Sequence, residues 1–418
     1  MVSAGATSAQ AGRITLVRGG CFWECPEFSL ALTESGQVVY AGAKHVDIPG
    51  QRTWRIPAED ASDVFAMARD PSLWAAKDRY FERVYDGEYL LLRVTDGVRR
   101  KQIFIYPAGN YPDHPDIIRR IVRELEQKTG VERWIRISPE TIATLRAEGF
   151  DFGSRASGQI FERAVRRHDR NSEPSPDGAA LAQWLALGAP IDRSASPTGE
   201  TALSGALRNG FHELLEPLLA RGVLETDGQP DPRKMDVAFQ AAIQSARLQA
   251  VQRVWEAHGP EWRPALDYAS AEPGPSGNIE RISVLHKLDA SWPRKNWEGL
   301  AIVQWLDAQG ADLAPRSLRG HTLFDLAASA NDPEMMRFLL ARGIDPGGMD
   351  RKEMMRFSVH HGEDMAMALL EAHVRHDPAW KVPRGYRAAA ELQKWPRVLA
   401  WLDAHPQHAA EAPETPCP

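Results

Sequence analysis

The chain has 418 residues, which is enough for two domains, and it carries 50 basic and 56 acidic side chains for a net charge of -6. This balance leaves no electrostatic signature of a nucleic-acid partner. No apolar run approaches the length of a membrane span. The composition therefore predicts a globular protein that contacts neither nucleic acid nor the interior of a membrane.

The first twelve residues are rich in small side chains and include Ala9-Gln10-Ala11, which has the form of a signal-peptidase site. The basic start and the apolar stretch that normally precede such a site are missing. Two interpretations stay open, namely that residues 1–12 are the remnant of a longer signal sequence or an ordinary disordered terminus. The first predicts a periplasmic or secreted protein, in which Cys21 and Cys25 could pair, and the second predicts a cytoplasmic one.

Residues 19–26, Gly-Gly-Cys-Phe-Trp-Glu-Cys-Pro, form the one N-terminal motif with possible chemistry. The first five are similar to the active-site segment of peptide methionine sulfoxide reductase A. That resemblance implies a thiol-dependent redox enzyme in which Cys21 attacks the sulfoxide and Phe22 and Trp23 shape the methyl pocket. Either Cys25 or Cys417 would then resolve the sulfenic acid on Cys21. In that family a helix follows the cysteine and helps to stabilise its thiolate, whereas here Pro26 leads into an alternating strand.

A wider pattern covers the whole N-terminal domain. Residues 18–28 read Arg-x-x-Cys-Phe-x-x-Cys-Pro-x-Phe, and residues 36–42 read Gly-x-Val-x-Tyr-x-Gly. Together they resemble an uncharacterised bacterial domain family with a Cys-Phe-Gly-x-Cys-Pro-x-Tyr motif before a strand-Gly-strand hairpin, some members of which are exported. Trp23, Glu24 and Phe28 depart from that motif. Because the family has no established activity, the resemblance implies a fold and no reaction.

The spacing of the two cysteines favours a structural role over a catalytic one. A disulfide between Cys21 and Cys25 would close a small ring and stabilise the fold by on the order of 2 kcal/mol. The usual redox spacing is Cys-x-x-Cys, and no His or Lys is adjacent to activate a thiol. We therefore expect a disulfide that fixes the entry to the next strand. Neither a metal nor a cofactor is expected, since His360 and His361 lack the cysteines or carboxylates that would complete a zinc site.

The remainder of the N-terminal region predicts an α+β domain over residues 13–137. Two hairpins are expected, the second with Asp-Gly at its turn, and three helices. A junction at 138–156 follows, in which Ser138-Pro139-Glu140 opens a helix. The predicted strands are 28–32, 37–42, 89–94 and 101–106, and the predicted helices are 57–67, 73–81, 117–125 and 141–148.

From residue 157 to residue 405 one pattern recurs, an apolar helix followed by a second helix that ends in Leu-x-x-Gly. Residues 201–222 are the clearest copy. Glycine suits the end of the second helix because the chain there often adopts a left-handed conformation. These glycines, spaced by 34, 37, 51 and 33 residues, are Gly188, Gly222, Gly259, Gly310 and Gly343.

Residues 199–203 and 320–324 carry the best matches to the ankyrin repeat, whose pattern is Gly-x-Thr-Pro-Leu-His-x-Ala-Ala and then Leu-Leu-x-x-Gly-Ala. The resemblance implies an all-α solenoid of six to seven degenerate repeats that binds a protein partner. In the family the His bridges backbone groups of neighbouring repeats, so its loss predicts a looser stack. His286 keeps this position, whereas the residues that replace it elsewhere are Ser204, Gln240, Asp325 and Arg356.

Two segments interrupt the repeats. An insertion at 260–281 stretches one interval to 51 residues, and residues 292–297 lengthen a bend between two helices. Insertions in solenoids often map to the binding face, and Trp and Arg are enriched in interface hot spots. Solvated loops without a partner are the alternative. The predicted partner-binding residues are Trp262, Arg263, Trp292, Arg294 and Trp297. By contrast, the tryptophans with helix-face spacing are expected to fill the core, namely Trp184, Trp255, Trp305 and Trp401. Residues 406–418 are expected to be a disordered tail.

Overall fold

The computed structural model describes residues 12–21, 25–83, 87–97, 99–108, 115–167, 177–194, 196–257, 266–269, 281–288, 297–314, 322–344, 356 and 358–409. The chain divides into two compact units. The first comprises residues up to 192 together with 211–223, and the second comprises residues 193–210 together with those from 224 onward.

The first unit is built on a seven-stranded mixed sheet with the order β4-β3-β2-β1-β6-β7-β5. Neighbouring strands are antiparallel, except that β5 runs parallel to β7. The two predicted hairpins correspond to β2–β3 and β6–β7. The strands are β1 (Arg13–Gly19), β2 (Glu27–Thr33), β3 (Gln37–Lys44), β4 (Gly50–Arg55), β5 (Arg79–Phe81), β6 (Tyr89–Asp96) and β7 (Arg99–Tyr106).

The prediction of a helix over 73–81 was wrong. A short helix begins at Pro71, where Asp70 accepts a hydrogen bond from the Ser72 amide, but it ends at Ala75. The chain then forms β5, in which Tyr80 is buried opposite Ile105 of β7. A tertiary pairing therefore overrides the local helical pattern. Strands β1 and β4 were also missed, although the alternation that buries Ile14 and Leu16 in β1 was visible in the sequence.

The helices lie between and after the strands. The predicted junction helix is α5, which Ser138 and Thr141 cap reciprocally. In the first unit are α1 (Ala58–Ala68), α2 (Pro71–Ala75), α3 (Asp116–Thr129), α4 (Glu132–Ile135), α5 (Pro139–Ala147), α6 (Arg155–Arg166), α7 (Gly178–Ala186) and α9 (Leu215–Ala220). In the second are α8 (Ala202–Asn209), α10 (Pro232–Gln244), α11 (Leu248–Glu256), α12 (Gly299–Ala308), α13 (Leu323–Ser329), α14 (Pro333–Ala341), α15 (Glu363–His376), α16 (Tyr386–Gln393), α17 (Pro396–Ala404) and α18 (Pro406–Ala409).

The helical region departs from an all-α architecture. It contains two short hairpins, one formed by β8 (Glu225–Thr226) and β9 (Gln229–Pro230) and the other by β10 (Asp267–Ala269) and β11 (Arg281–Ser283). The buried ammonium of Lys234 donates to the carbonyl of Glu225 at 2.7 Å and so anchors the first hairpin to α10. The segment that contains His286, where the repeat pattern would have a first helix, is a single 3₁₀ turn, Val284–Lys287.

Successive helices pack as neighbours, and local contacts define their ends. Helix α14 packs on α13, on the preceding α12 and on the following α15. The predicted glycines that the structure describes all have positive φ angles, namely Gly188, Gly222, Gly310 and Gly343. Two residues that replace the ankyrin His, Ser204 and Asp325, form reciprocal capping boxes with Thr201 and Thr322. These positions therefore keep a role in beginning a helix.

The tryptophans predicted to fill the core do so to different degrees. Trp184 is fully buried and donates to Ser157 at 2.9 Å, whereas Trp255 and Trp305 are half-buried and pack edge to face. The first four residues of the predicted disordered tail, 406–409, are instead the helix α18. Its His408 is buried and shares a hydrogen bond of 2.8 Å with the Trp380 carbonyl.

Candidate functional site

A groove of about 460 Å³ crosses the second unit at the start of α12 and at the turn between α13 and α14. One wall is formed by the exposed side of α12, and the other by the turn and the first residues of α14. Its lining combines an aromatic ring and aliphatic groups with carboxylates and amides. The lining residues are Trp297, Glu298, Leu300, Ala301, Gln304, Asn331, Asp332 and Glu334.

Trp297 lines the groove and is held by two contacts. Its indole nitrogen donates to Asp332 at 3.1 Å, and its ring lies against the α-carbon of Gly299, where a methyl group would collide with it. Asp332 also accepts from the Met335 amide at 2.9 Å and caps α14. The tryptophan is thus half-buried in a fixed orientation, with part of its ring open to the groove.

Glu298 connects the groove to the preceding helix pair. Its carboxylate accepts from the Leu248 amide at the start of α11 at 2.7 Å and lies 3.5 Å from the Arg247 guanidinium. Its own backbone amide donates to the carbonyl of Ala246 at 3.1 Å. These contacts fix the first turn of α12 against the start of α11. The groove is therefore positioned by α11, by α12 and by the turn between α13 and α14.

Of the predicted partner-binding residues, Trp297 alone lies among the described residues. Trp262, Arg263, Trp292 and Arg294 lie outside them, as do most of the two interrupting segments. Sequence reasoning missed the second wall of the groove. Asp332 followed by Pro333 is a recognisable helix start, and it could have indicated that this turn is well defined.

In the first unit, Cys21 and Cys25 lie side by side at the end of β1. Their sulfur atoms are 2.09 Å apart, which is the distance of a disulfide bond, and the Cys25 amide donates to the sulfur of Cys21 at 3.0 Å. Phe22 and Trp23 lie outside the described residues, so the pocket that the reductase resemblance implies stays a prediction. Gly20, with φ of +76°, brings the chain against the ring of Tyr89.

Arg18, which opens the cysteine pattern, pairs with two carboxylates from distant parts of the chain. Its Nε and Nη2 atoms donate to Glu126 of α3 at 2.6 and 3.1 Å, and Nη1 donates to Glu88 at 3.0 Å. Burial alone would lower the pKa of Arg18, but the two carboxylates raise it above its ordinary value. Burial raises the pKa of Glu88, and the charge of Arg18 offsets only part of that effect.

A cleft of about 550 Å³ runs beside this cluster along one side of α3. Its floor is apolar and includes Leu90, Ile105 and Val122, while Arg119 and Arg123 line its rim. Since Glu126 and Glu88 already neutralise Arg18, the guanidinium is not poised to receive an anion from the cleft. Its chemical role is to hold β1, α3 and the segment before β6 together.

Within the described ranges, no group of three or more His, Cys, Asp or Glu side chains could hold a metal ion. In the same part of the chain, no helix has both the length and the apolar character that crossing a membrane requires.

Comparisons with known families match two segments of the chain. Residues 12–141 match the family described as a domain of unknown function (DUF6438), and residues 319–351 match the ankyrin repeat. The chain carries a DUF6438 domain and an ankyrin repeat. The first match spans the sheet with α1 to α4, and the described part of the second contains α13 and α14. No curated protein matches the sequence.

Proposed function

We propose that this chain is a non-enzymatic interaction protein that binds a protein partner through the surface of its helical repeats. The observation that carries the proposal is the ankyrin repeat at 319–351, because arrays of such repeats present extended surfaces for protein binding. The neighbouring helix pairs, which pack on it in sequence, would extend the repeat into an ankyrin-like solenoid.

The groove around Trp297 supplies the most specific contact surface. A tryptophan that is half-buried and held by Asp332 presents its ring without the entropy loss that a mobile side chain would incur. Leu300 and Ala301 add apolar surface beside it, and Gln304 and Glu334 add a polar rim. In this proposal the insert segments contribute Trp262, Arg263, Trp292 and Arg294 to the same partner.

Site-specific photo-crosslinking tests the proposal. Benzoyl-phenylalanine is placed at Gln304, which is exposed in the groove, and in a matched variant at Gln309, which is exposed at the end of α12 but outside the groove lining. We expect a discrete crosslinked protein from the first variant alone, identified by mass spectrometry. The purified partner should then bind Gln304→Lys about tenfold more weakly than wild type and bind Gln309→Lys normally. Equal crosslinking from both positions, or equal affinity for both variants, would contradict the proposal.

A further inference from the structure

One face of the seven-stranded sheet lies opposite the described helices. Side chains alternate along a strand, so Leu16, Arg18 and Leu90 point toward the helices, as the contact of Arg18 with α3 shows. The intervening residues point the other way. By register, Val17 lies beside Leu91, Leu91 beside Phe104, and Phe104 beside Arg79. We call this second surface the open face.

Four aromatic rings lie next to one another on the open face. Tyr89 and Phe104 have centroids 6.0 Å apart and an interplanar angle of 27°, while Phe81 and Tyr106 are 5.7 Å apart at 23°. Phe81 is 46 % exposed, which is unusual for a phenylalanine. The rings come from three adjacent strands, so two near-parallel pairs form a continuous aromatic surface.

The charge of the open face is strongly basic. The Arg79 guanidinium lies 4.9 Å from the ring centre of Phe81 and 5.7 Å from that of Phe104. Among the described strand residues that point to this face, the acidic one is Glu27, which pairs with Lys44 at 3.5 Å. The arginines on the same face, all exposed, are Arg13, Arg55, Arg79, Arg93 and Arg100.

We propose that the open face binds single-stranded nucleic acid. Bases stack on aromatic side chains whatever their sequence, and arginines neutralise phosphates. Rings with Arg79 beside them, on a face that carries further arginines, are therefore complementary to a single strand. This inference is independent of the proposed role of the repeats. It also reverses, for one surface, the expectation drawn from the chain-wide charge of -6, because that sum conceals where the charges lie.

Other occupants satisfy fewer of these features. A second copy of the chain, docked through a two-fold interface, would bring the arginines of both open faces together. A neutral oligosaccharide would offer no negative charge to the arginines. A sulfated polysaccharide would neutralise the arginines but would offer no planar base to the rings.

The cysteine loop borders this surface. Gly19 lies opposite Tyr89 in the register of β1 and β6, and the Tyr89 ring occupies the position that a side chain at Gly20 would need. The glycines before Cys21 therefore allow Tyr89 to lie flat beside β1. This gives the glycines of the cysteine motif a role in shaping the aromatic surface.

Fluorescence anisotropy of the full chain with a fluorescein-labelled oligothymidylate tests the proposal. We expect saturable binding that weakens as salt is raised. Phe81→Ala should raise the Kd about tenfold through the loss of stacking. Arg79→Gln should raise the Kd and also reduce the salt dependence. The matched control is Leu392→Ala, which removes a side chain that is 80 % exposed in the second unit and should leave the Kd unchanged.

Circular dichroism establishes that each variant is folded, and two competitors separate the alternatives. Absence of binding at low salt would overturn the proposal. The proposal would also be overturned if heparin competed as strongly as unlabelled oligonucleotide and Phe81→Ala left the Kd unchanged. The open face would then bind polyanions without stacking. Binding of a neutral chito-oligosaccharide that is insensitive to salt and lost in Phe81→Ala would assign the face to carbohydrate instead.

Discussion

The contacts of Asp47 in the sheet domain, residues 12–137, span far more of the chain than the helix caps of the repeats in the second unit. In the sheet domain, Asp47 accepts from the Ile137 amide at 2.7 Å and pairs with Arg167, partners that lie 90 and 120 residues away. In the second unit, Thr322 and Asp325 cap a helix across only three residues. Changes in the sheet domain should therefore propagate widely, whereas changes in the repeats should stay local.

This difference also bears on how each region can function. A repeat that is defined by its own caps tolerates insertions beside it, which is compatible with a variable surface for a partner. The sheet domain commits Arg18 and Asp47 to contacts that fix several elements at once. Its residues available for binding are then those of the open face, which these contacts do not use.

The largest effect is expected at Asp47. Its carboxylate is fully buried, and the side chain of its partner Arg167 is 3 % exposed. Asp47→Ala would remove a carboxylate from beside a buried guanidinium and should destabilise the protein by roughly 3–5 kcal/mol, measured from urea unfolding. The double variant Asp47→Leu/Arg167→Met should recover much of this loss, because it removes both charges.

An exposed ion pair in the second unit provides the control for this comparison. Arg387 and Asp403 lie 2.8 Å apart with side chains 41 % and 69 % exposed. Asp403→Ala should cost less than about 1 kcal/mol, since solvent screens such a pair. Comparable losses in Asp47→Ala and Asp403→Ala would remove the distinction between the two regions.

The cysteine pair is expected to have the next largest effect. A disulfide between Cys21 and Cys25 should stabilise the sheet domain by on the order of 2 kcal/mol, so reductant should lower its unfolding midpoint and leave the double variant Cys21→Ser/Cys25→Ser unaffected. Of the three cysteines in the chain, iodoacetamide should label Cys417 alone before reduction and all three afterwards, as read by intact mass.

The same experiment examines the redox alternative. If Cys21 is a sulfoxide-reducing nucleophile, it should react rapidly with iodoacetamide near neutral pH, and a methionine sulfoxide peptide should be reduced in the presence of a thiol. We expect neither. Turnover that disappears in Cys21→Ser would instead make the DUF6438 domain a reductase and confine the binding role to the repeats.

Sequence reasoning was most successful where contacts are local. The Leu-x-x-Gly pattern located the helix ends at Gly188, Gly222 and Gly343, because the requirement for a positive φ is visible at a single position. It missed β5, a strand that depends on its pairing with β7. It also gave no indication of the partners of Arg18, which lie 70 and 108 residues away.

Loss of a repeat cap should have a smaller and more local effect. Asp325→Ala removes an acceptor for the Thr322 amide, which lies at 2.6 Å, and should destabilise the repeat by about 1 kcal/mol. Hydrogen exchange should increase in α13 and α14 and stay unchanged in the sheet domain. Ser204→Ala, which removes the equivalent contact from α8, serves as the matched variant. Faster exchange throughout the sheet domain would contradict the local character of the repeats.

The smallest effects are expected in the pH dependence of stability, where one carboxylate in each region should respond with opposite sign. Burial raises the pKa of Glu88, so its contribution to stability is greatest at low pH and is lost as the pH rises through the folded-state pKa. In the second unit burial would also raise the pKa of Asp231, but hydrogen bonds from Thr226 and the Lys234 and Arg233 amides lower it. The contribution of Asp231 is therefore present above its unfolded-state pKa and is lost as the pH falls through the folded-state value. Urea midpoints of wild type, Glu88→Gln and Asp231→Asn should be measured from pH 3 to pH 8. As the pH rises, the stability of wild type relative to Glu88→Gln should decrease. Its stability relative to Asp231→Asn should increase. A Glu88 difference that instead grows with pH would show that attraction to Arg18 outweighs burial in the sheet domain, and would make the two regions alike in this respect.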